Sequence, residues 1–450
     1  MFETICDTVP ADSALDGTIY NNLPYEFHEE RNAAGEYIPL RLRKPSVRYA
    51  LCRIVVEDSV ALLFSNAHFP AVDCADPIMA QTLGDIIAEI RLNEIMIDAA
   101  IRGSVGSVAL LMRILNGRIF VSVLDSLYLT PQWDAQAPDV LKSVKEQYQV
   151  RGDVLIAQGY NDLDPAVTYW FARAWSHADE TWYLPWAVNE PLAIPQIDTA
   201  RSISHRLGFV PIVWIRNLPG GDAIDGACTF RAAIESNIEI DYQLSQAGRG
   251  LKYSSDPTLL IKEPASADSE IVKGAGNALV VSEKGDARLL EIGGTASEAV
   301  ISYVRTLREL AMESVHGNRT NADRLTVAQS GRALEMMNQG LIWLADNLRI
   351  SYGDGGILPL LRMIVKASNI YPLQVLGVPV APMDCGQRLS LRWPRWYPLS
   401  ADDRLKEAQA ISLLANAGQI SRETAVKNLS GSHNVSDISA ELAAINEDGE

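Results

Sequence analysis

"SVHGNRTNADRLTVAQSGRAL" (Ser314–Leu334) lies between two stretches of clear helical periodicity. It holds three arginines, Arg319, Arg324 and Arg332, against one acid, Asp323. Upstream, Val300, Val304, Leu307 and Ala311 repeat at threes and fours, with Ser302, Arg305, Glu309 and Glu313 on the opposite side. Downstream, Leu334, Met337, Leu341, Leu344 and Leu348 do the same. A basic, polar loop is therefore suspended between two long helices. Gly340, where a glycine costs about 1 kcal/mol relative to Ala, is expected to bend the second one.

Outward from this loop, an order of parts emerges. "FRAAIESNIEIDYQLSQAGRGL" (residues 230–251) reads as a helix with Phe230, Ile234, Ile238, Leu244, Ala247 and Leu251 along one side. "PTLLIKE" is a short strand, and "ALVVSEKGDARLLEI" reads as a hairpin turning at "EKGD". Two helices that bracket a small strand module either place it at the far end of a stalk or belong to an ordinary α+β domain with an inserted hairpin; periodicity does not choose between them. On the stalk reading the module is distal. The loop after the second helix then returns to the near end.

The first half is mixed. Residues up to about Pro45 are turn-rich and polar, and read as an arm rather than core. A helix follows over "PSVRYALCRIVVEDSVALLF", and one long helix is expected over residues 76–106, opened near Pro77. "GRIFVSVLDSLYLTP", "AVTYWFARAWSHADETWYLPWAV" and "GFVPIVWIRN" are β-branched and aromatic, and read as strands. The tail is helical again: "LSADDRLKEAQAISLLANAGQ" stops at Gly418, "SRETAVKNL" is opened by Ser421, and "AINEDGE" is expected to fray. The fold class is α+β.

Composition narrows the function. Lys and Arg total 39 against 56 Asp and Glu, a net charge of −17, which excludes a general basic surface for holding nucleic acid. The five cysteines (Cys6, Cys52, Cys74, Cys228, Cys385) are scattered, so neither a zinc site nor a disulfide framework is expected. The N-terminus has no basic start or apolar run, and no stretch is apolar enough to cross a bilayer, so a soluble, intracellularly made protein is expected. "GGDAIDGA" lacks the lysine of a phosphate loop, and neither a G-x-S-x-G elbow nor H-E-x-x-H is present. Asp162 and Asp164 in "NDLDP" read as a solvated turn. A metal-dependent hydrolase using that pair is one alternative function. No cofactor and no catalytic residue are expected.

Taken together, these segments resemble the portal proteins of tailed bacteriophages, in particular the family of the SPP1-type portal with its prophage and gene-transfer-agent relatives. "RGSVGSVALLMRILNGRIFVSVLDSLYLTPQWD" is similar to that family's helix, glycine and strand-hairpin passage. "HRLGFVPIVWIRN" is similar to the strand that leads towards its stem, and "AQSGRALEMMNQGL" to its "SG.AL" helix start, carried here by Ser330, Gly331, Ala333 and Leu334. "WPRWYPLSADDRLKEAQAISLLANAGQISRETA" is similar to its closing pattern, with Gly418, Ile420, Ser421, Glu423 and Thr424 filling "G.iS.eT". The likeness runs from about residue 45 onward. The family's middle-helix "D.Y" pattern is seen here only as Asp241-Tyr242.

The resemblance implies an arm and wing over 1–228, stem helices over 229–252 and 297–316, and a clip over 253–296. It implies a tunnel loop over 317–329, a long kinked helix with the remainder of the wing over 330–400, and a helical crown over 401–450. It further implies a ring of twelve subunits at one capsid vertex of a virion assembled in the host cytoplasm. Double-stranded DNA would pass through the ring's channel. The partners would be the terminase motor, the major capsid and scaffold proteins, and a head-completion or adaptor protein, with no membrane. The channel candidates are Arg305, Arg319, Asn321, Arg324 and Arg332, and the clip contacts Lys262, Glu263, Asp268, Glu270 and Lys273. Arg319 and Arg324 either touch phosphate or pair with Asp323, Glu313 or a neighbouring subunit; the clip charges either meet the motor or are an exposed charged module. Leu334, Met337, Leu341 and Leu344 are expected to pack between subunits. Another virion structural protein, a minor capsid or tail component, is the second alternative.

Overall fold

The polar N-terminal stretch is not a free arm. The computed structural model describes residues 11–189, 194–222, 224–255, 258–264, 281–290, 295–316, 335–336, 338–397, 401–433 and 438–447. Within it Tyr20, Phe27 and Ile38 are buried. Helix α1 (Ala11–Asp16) and the short parallel pair β1 (Tyr25–Glu26) and β2 (Arg43–Lys44) frame them. Arg43 is fully buried, and its guanidinium donates to the Ile38 carbonyl at 2.9 and 2.6 Å and to that of Phe27 at 3.4 Å. One buried cation satisfying backbone acceptors organises this segment, so no periodic apolar face announces it.

Helix α2 (Leu51–Phe64) matches the expected helix from its second turn on, and β3 (Ala71–Asp73) follows. The single helix expected over 76–106 is two, α3 (Pro77–Glu89) and α4 (Leu92–Gly103). Asp76 caps α3 by accepting from the amides of Ile78 and Met79 at 2.9 and 3.4 Å. Between the helices Arg91 adopts φ +51°, a left-handed conformation no α-helix continues through. The break lets Leu83 and Ile86 on one side, and Leu92 and Met96 on the other, enter the same core.

The strands come next: β4 (Ser107–Leu115), β5 (Arg118–Asp125), β6 (Leu129–Trp133) and β7 (Leu141–Arg151), then helix α5 (Gly152–Ala157). After it come β8 (Thr168–Trp175), β9 (Asp179–Trp182), β10 (Trp186–Ala187), β11 (Ile203–Ser204) and β12 (Ile212–Arg216). They form two sheets. One has the order β12-β4-β5; the other has the order β11-β9-β8-β7-β6, with β10 beside β8. The central strand β4 is buried on both faces, which explains its unbroken apolar run "VALLM". Val108, Leu110 and Met112 face the helical core, while Ala109 and Leu111 face Val144, Trp175 and Trp214 towards the second sheet.

Helix α6 (Ile234–Ser255) leads to strand β13 (Thr258–Pro264), which pairs antiparallel with β14 (Val281–Leu290); α7 (Thr295–Ser314) then packs back against α6. "EKGD" is not a turn. It lies inside β14, with Asp286 opposite Lys262 and the residues before Asp286 in a register shift that ends at Val281 opposite Pro264, so the segment is an irregularity within one strand rather than a reversal between two.

The long helix runs through α8 (Gln339–Leu348), a π-helical segment (Arg349–Ile357) and α9 (Leu358–Ser368). The irregularity expected at Gly340 therefore falls ten residues later. There Gly353 and Gly356 leave room that a Cβ would fill, 2.7 Å from the Trp393 ring and 2.7 Å from Cδ1 of Ile215 respectively. Leu341 and Leu344 pack into the chain's own core rather than between subunits, alongside Leu348. The hairpin β15 (Leu373–Val375) and β16 (Val378–Val380) follows, and β17 (Ser390–Arg392) pairs with β3. Three helices close the chain, α10 (Ala401–Asn416), α11 (Arg422–His433) and α12 (Ile438–Glu447). Gly418 at φ +69° ends the first, and the Ser421 hydroxyl accepts from the Thr424 amide at 3.1 Å to open the second. The last carries helix into the stretch expected to fray.

Candidate functional site

The region built by α6, β13–β14 and α7 holds three of the expected channel and clip residues, Arg305, Lys262 and Glu263. On α7, Val304, Leu307 and Ala311 turn towards the core, as the periodicity requires, while Ser302, Arg305, Glu309 and Glu313 are exposed. Arg305 makes no ion pair with any described residue; near the next cation on the helix, Arg308, burial and the neighbouring Glu57 raise the Asp58 carboxyl against the pull of that guanidinium. Lys262 and Glu263 belong to β13, with Lys262 in register opposite Asp286. Asp268, Glu270 and Lys273 lie outside the described residues, as do Arg319, Asn321, Arg324 and Arg332.

The root of α6 carries a polar cluster that the sequence reading passed over. Asn237, Asp241 and Ser245 are spaced by four, so they stack on one side of the helix. Asp241 is 1% exposed. It accepts from the Tyr20 hydroxyl at 2.9 Å, the Tyr49 amide at 2.6 Å and the Asn237 amide group at 3.2 Å. Asn237 accepts from the Leu51 amide at 2.9 Å, and Ser245 from the Val47 amide at 3.0 Å. Tyr242 donates to the Arg43 carbonyl at 2.9 Å, and Arg249 pairs with Glu30. Helix α6 and the segment 20–51 are thus stitched together by orphan amides ahead of α2 and by one buried carboxylate. Burial pushes the Asp241 carboxyl up to about 6, against the opposing pull of the Tyr49 and Tyr20 donors and of Arg48. Burial and the neighbouring Asp241 push the Tyr242 hydroxyl up to about 12 and raise that of Tyr20 further. The signal was present as the four-residue repeat of polar residues in an otherwise amphipathic helix.

A second feature holds the middle of the long helix. The Arg349 guanidinium stacks over Trp396 at 3.2 Å and over Trp393 at 4.8 Å, and donates to the Pro394 carbonyl at 3.2 Å. The aromatic pair in "LRWPRWYP" therefore clamps the start of the π segment. Beside that segment a cleft of 1120 Å³ opens between β12 and the helix, walled by Trp133, Phe209, Val213, Trp214 and Met363.

The acidic pairs weighed for metal chemistry are used in turns. Asp164 accepts from the Ala166 amide at 2.9 Å, and Asp222 from the amides of Ile224 and Asp225 at 2.7 and 2.6 Å. Those two amide donors hold the Asp222 carboxyl below its ordinary range. Among the described residues, no three His, Cys, Asp or Glu side chains converge as a metal site would require. No described helix is long and apolar enough to cross a membrane.

No family model matches the chain, and no curated protein matches it. Among solved structures, it is similar to a chain described as "Virion of native gene transfer agent (GTA) particle". The identity is 13% and the TM-score 0.37, over 84% of this chain and 88% of that one.

Proposed function

We propose that the chain is a portal subunit: a virion protein whose copies close into a ring at one capsid vertex, through which double-stranded DNA is packaged and ejected. The observation that carries the reading is the order and pairing of parts. Two helices, α6 and α7, lie side by side with an antiparallel strand pair at their far end. In the sequence, the basic stretch 317–334 follows α7 and precedes the long helix. The ordered motifs from about residue 45 to Thr424 support the same reading.

The electrostatics suit a conduit. Duplex DNA carries about one charge per 1.7 Å of axis, so a channel of subunits each at −17 repels it and cannot retain it as a ligand. At physiological salt the screening length is about 8 Å, so only groups projecting into the bore act on the duplex. Arg305, exposed on α7, and Arg319, Arg324 and Arg332 of the loop supply brief phosphate contacts. The strand pair β13–β14, with Lys262 and Glu263, serves as the clip that meets the motor during packaging and the adaptor afterwards. The root cluster at Asp241 anchors the stem in the wing so that it resists the load of moving DNA.

The test is the double variant Arg319→Ala/Arg324→Ala in particles assembled with their motor. Rings of ordinary size with a reduced yield of packaged DNA support the assignment; an unchanged yield removes the loop from the channel.

A further inference from the structure

The sheet β12-β4-β5 has one apolar surface at each edge, and the two differ in shape and charge. At the β12 edge lies the cleft beside the long helix, walled by Phe209, Val213, Trp214 and Met363. Its rim carries Arg216, Arg362 and Lys366 against Asp139 and Asp354, a positive balance in a chain of net −17. At the β5 edge the hairpin β15–β16 docks by its backbone, with the Gln374 amide donating to the Gly117 carbonyl at 2.9 Å. Its tip projects: Leu376 is 73% and Val378 65% exposed, flanked by Leu115 at 55%. Beside the tip, α3 presents acids. Glu89 accepts from the Leu376 amide at 3.1 Å and is already paired with Arg118 at 3.1 Å, whereas Asp85, one turn earlier on α3, is exposed.

We infer that the β15–β16 tip of one copy seats in the β12-edge cleft of the next. The occupant is a second copy of this chain, for three reasons. An apolar tip of this size exposed on a monomer marks a contact surface. A closed ring requires two different, complementary patches on one protomer, whereas a two-fold dimer would reuse one patch. Charge also matches, because the exposed Asp85 beside the tip meets the cationic rim of the cleft. This inference rests on the ring reading above and assigns the surfaces that make the ring.

Leu376 is a good probe because its φ of +51° is a conformation that Asp tolerates better than Leu, so Leu376→Asp removes the apolar tip without straining the turn. The experiment measures particle mass for the wild type, Leu376→Asp and Lys366→Glu by mass photometry, with thermal melting as a check on folding. Leu376→Asp is expected to weaken association by at least ten-fold. Lys366→Glu weakens it several-fold, and adding Asp85→Lys restores it. In a Cys385→Ser background, Leu376→Cys chains mixed with Met363→Cys chains should crosslink only in the mixture. Rings that survive Leu376→Asp, or Leu376→Cys chains that crosslink to one another, overturn this pairing while leaving the ring. A wild type that stays single-chained overturns the ring reading and the pairing with it. If Leu376→Asp fails to melt cooperatively, the crosslinking pair decides alone.

Discussion

Replacing Asp241 by Asn should change how tightly the segment 47–51 is held to α6, and the change should reverse with pH. In the wild type the carboxyl titrates at about 6 when folded and at 3.8 when unfolded. The folded state thus binds its proton more tightly, so the associated stability is fully present below 3.8 and is lost as pH rises through about 6. The gap corresponds to about 3 kcal/mol, at 1.36 kcal/mol per pKa unit. Asn cannot titrate. It also places an NH₂ where Oδ2 accepted from Asn237, and that donor cannot turn away, since Asn237 Oδ1 holds the Leu51 amide. One unsatisfied buried donor costs roughly 1–3 kcal/mol at every pH. At pH 4 the variant should therefore be the weaker by about 1–3 kcal/mol. At pH 7.5 it should be equal or tighter, because the wild type then carries a buried charge. The assay is amide exchange of Val47, Tyr49 and Leu51, whose N–H groups donate to Ser245, Asp241 and Asn237. The wild-type-to-variant protection ratio should fall about a hundred-fold between the two pH values. A ratio that stays constant would refute the reasoning that Asp241 is a desolvated carboxylate without a compensating cation.

Other perturbations follow from the same geometry. Gly356→Ala places a Cβ 2.7 Å from Ile215 on β12 and should lower stability by about 1–3 kcal/mol, read as a lower melting temperature. Gly355→Ala, where the nearest atom is the Ile350 carbonyl at 3.8 Å, should be near neutral. Arg349→Ala removes the cation stacked on Trp393 and Trp396 and should cost about 1–2 kcal/mol, with increased exchange over residues 393–397. Arg305→Ala should leave stability unchanged, because its side chain is exposed and forms no ion pair with any described residue, while reducing packaged DNA.

Much of the architecture was legible in periodicity. The stripe Val304, Leu307 and Ala311, the β-branched run "RIFVSV" in β5 and the stop at Gly418 each follow from a local rule that tertiary structure did not override. Where the reading failed, a non-local partner decided. Arg91 takes a left-handed turn because Leu83 and Leu92 must reach one core, and neither residue's neighbours encode that. "EKGD" has turn composition, yet it lies in a register shift within β14, whose flanks, Val281 and Asp286, pair with β13 about twenty residues earlier. The N-terminal segment lacked an apolar face because its organiser is Arg43, a residue ordinarily read as surface. At the candidate site, the exposed side of α7 could be read directly. The cluster at Asp241 could have been found from the repeat Asn237, Asp241, Ser245, since polar residues spaced by four on a packed helix need buried partners. Which amides they would meet depended on the path of residues 20–51.

The central claim is that many copies enclose an axial hole lined by the stem helices and the basic stretch that follows them. Electron microscopy of the purified protein tests it most directly. Closed rings with a bore wide enough for duplex DNA, and with α7 and the 317–334 stretch facing that bore, are expected. Single compact particles, or an assembly that turns Arg305 and the stretch outward to solvent, would contradict it.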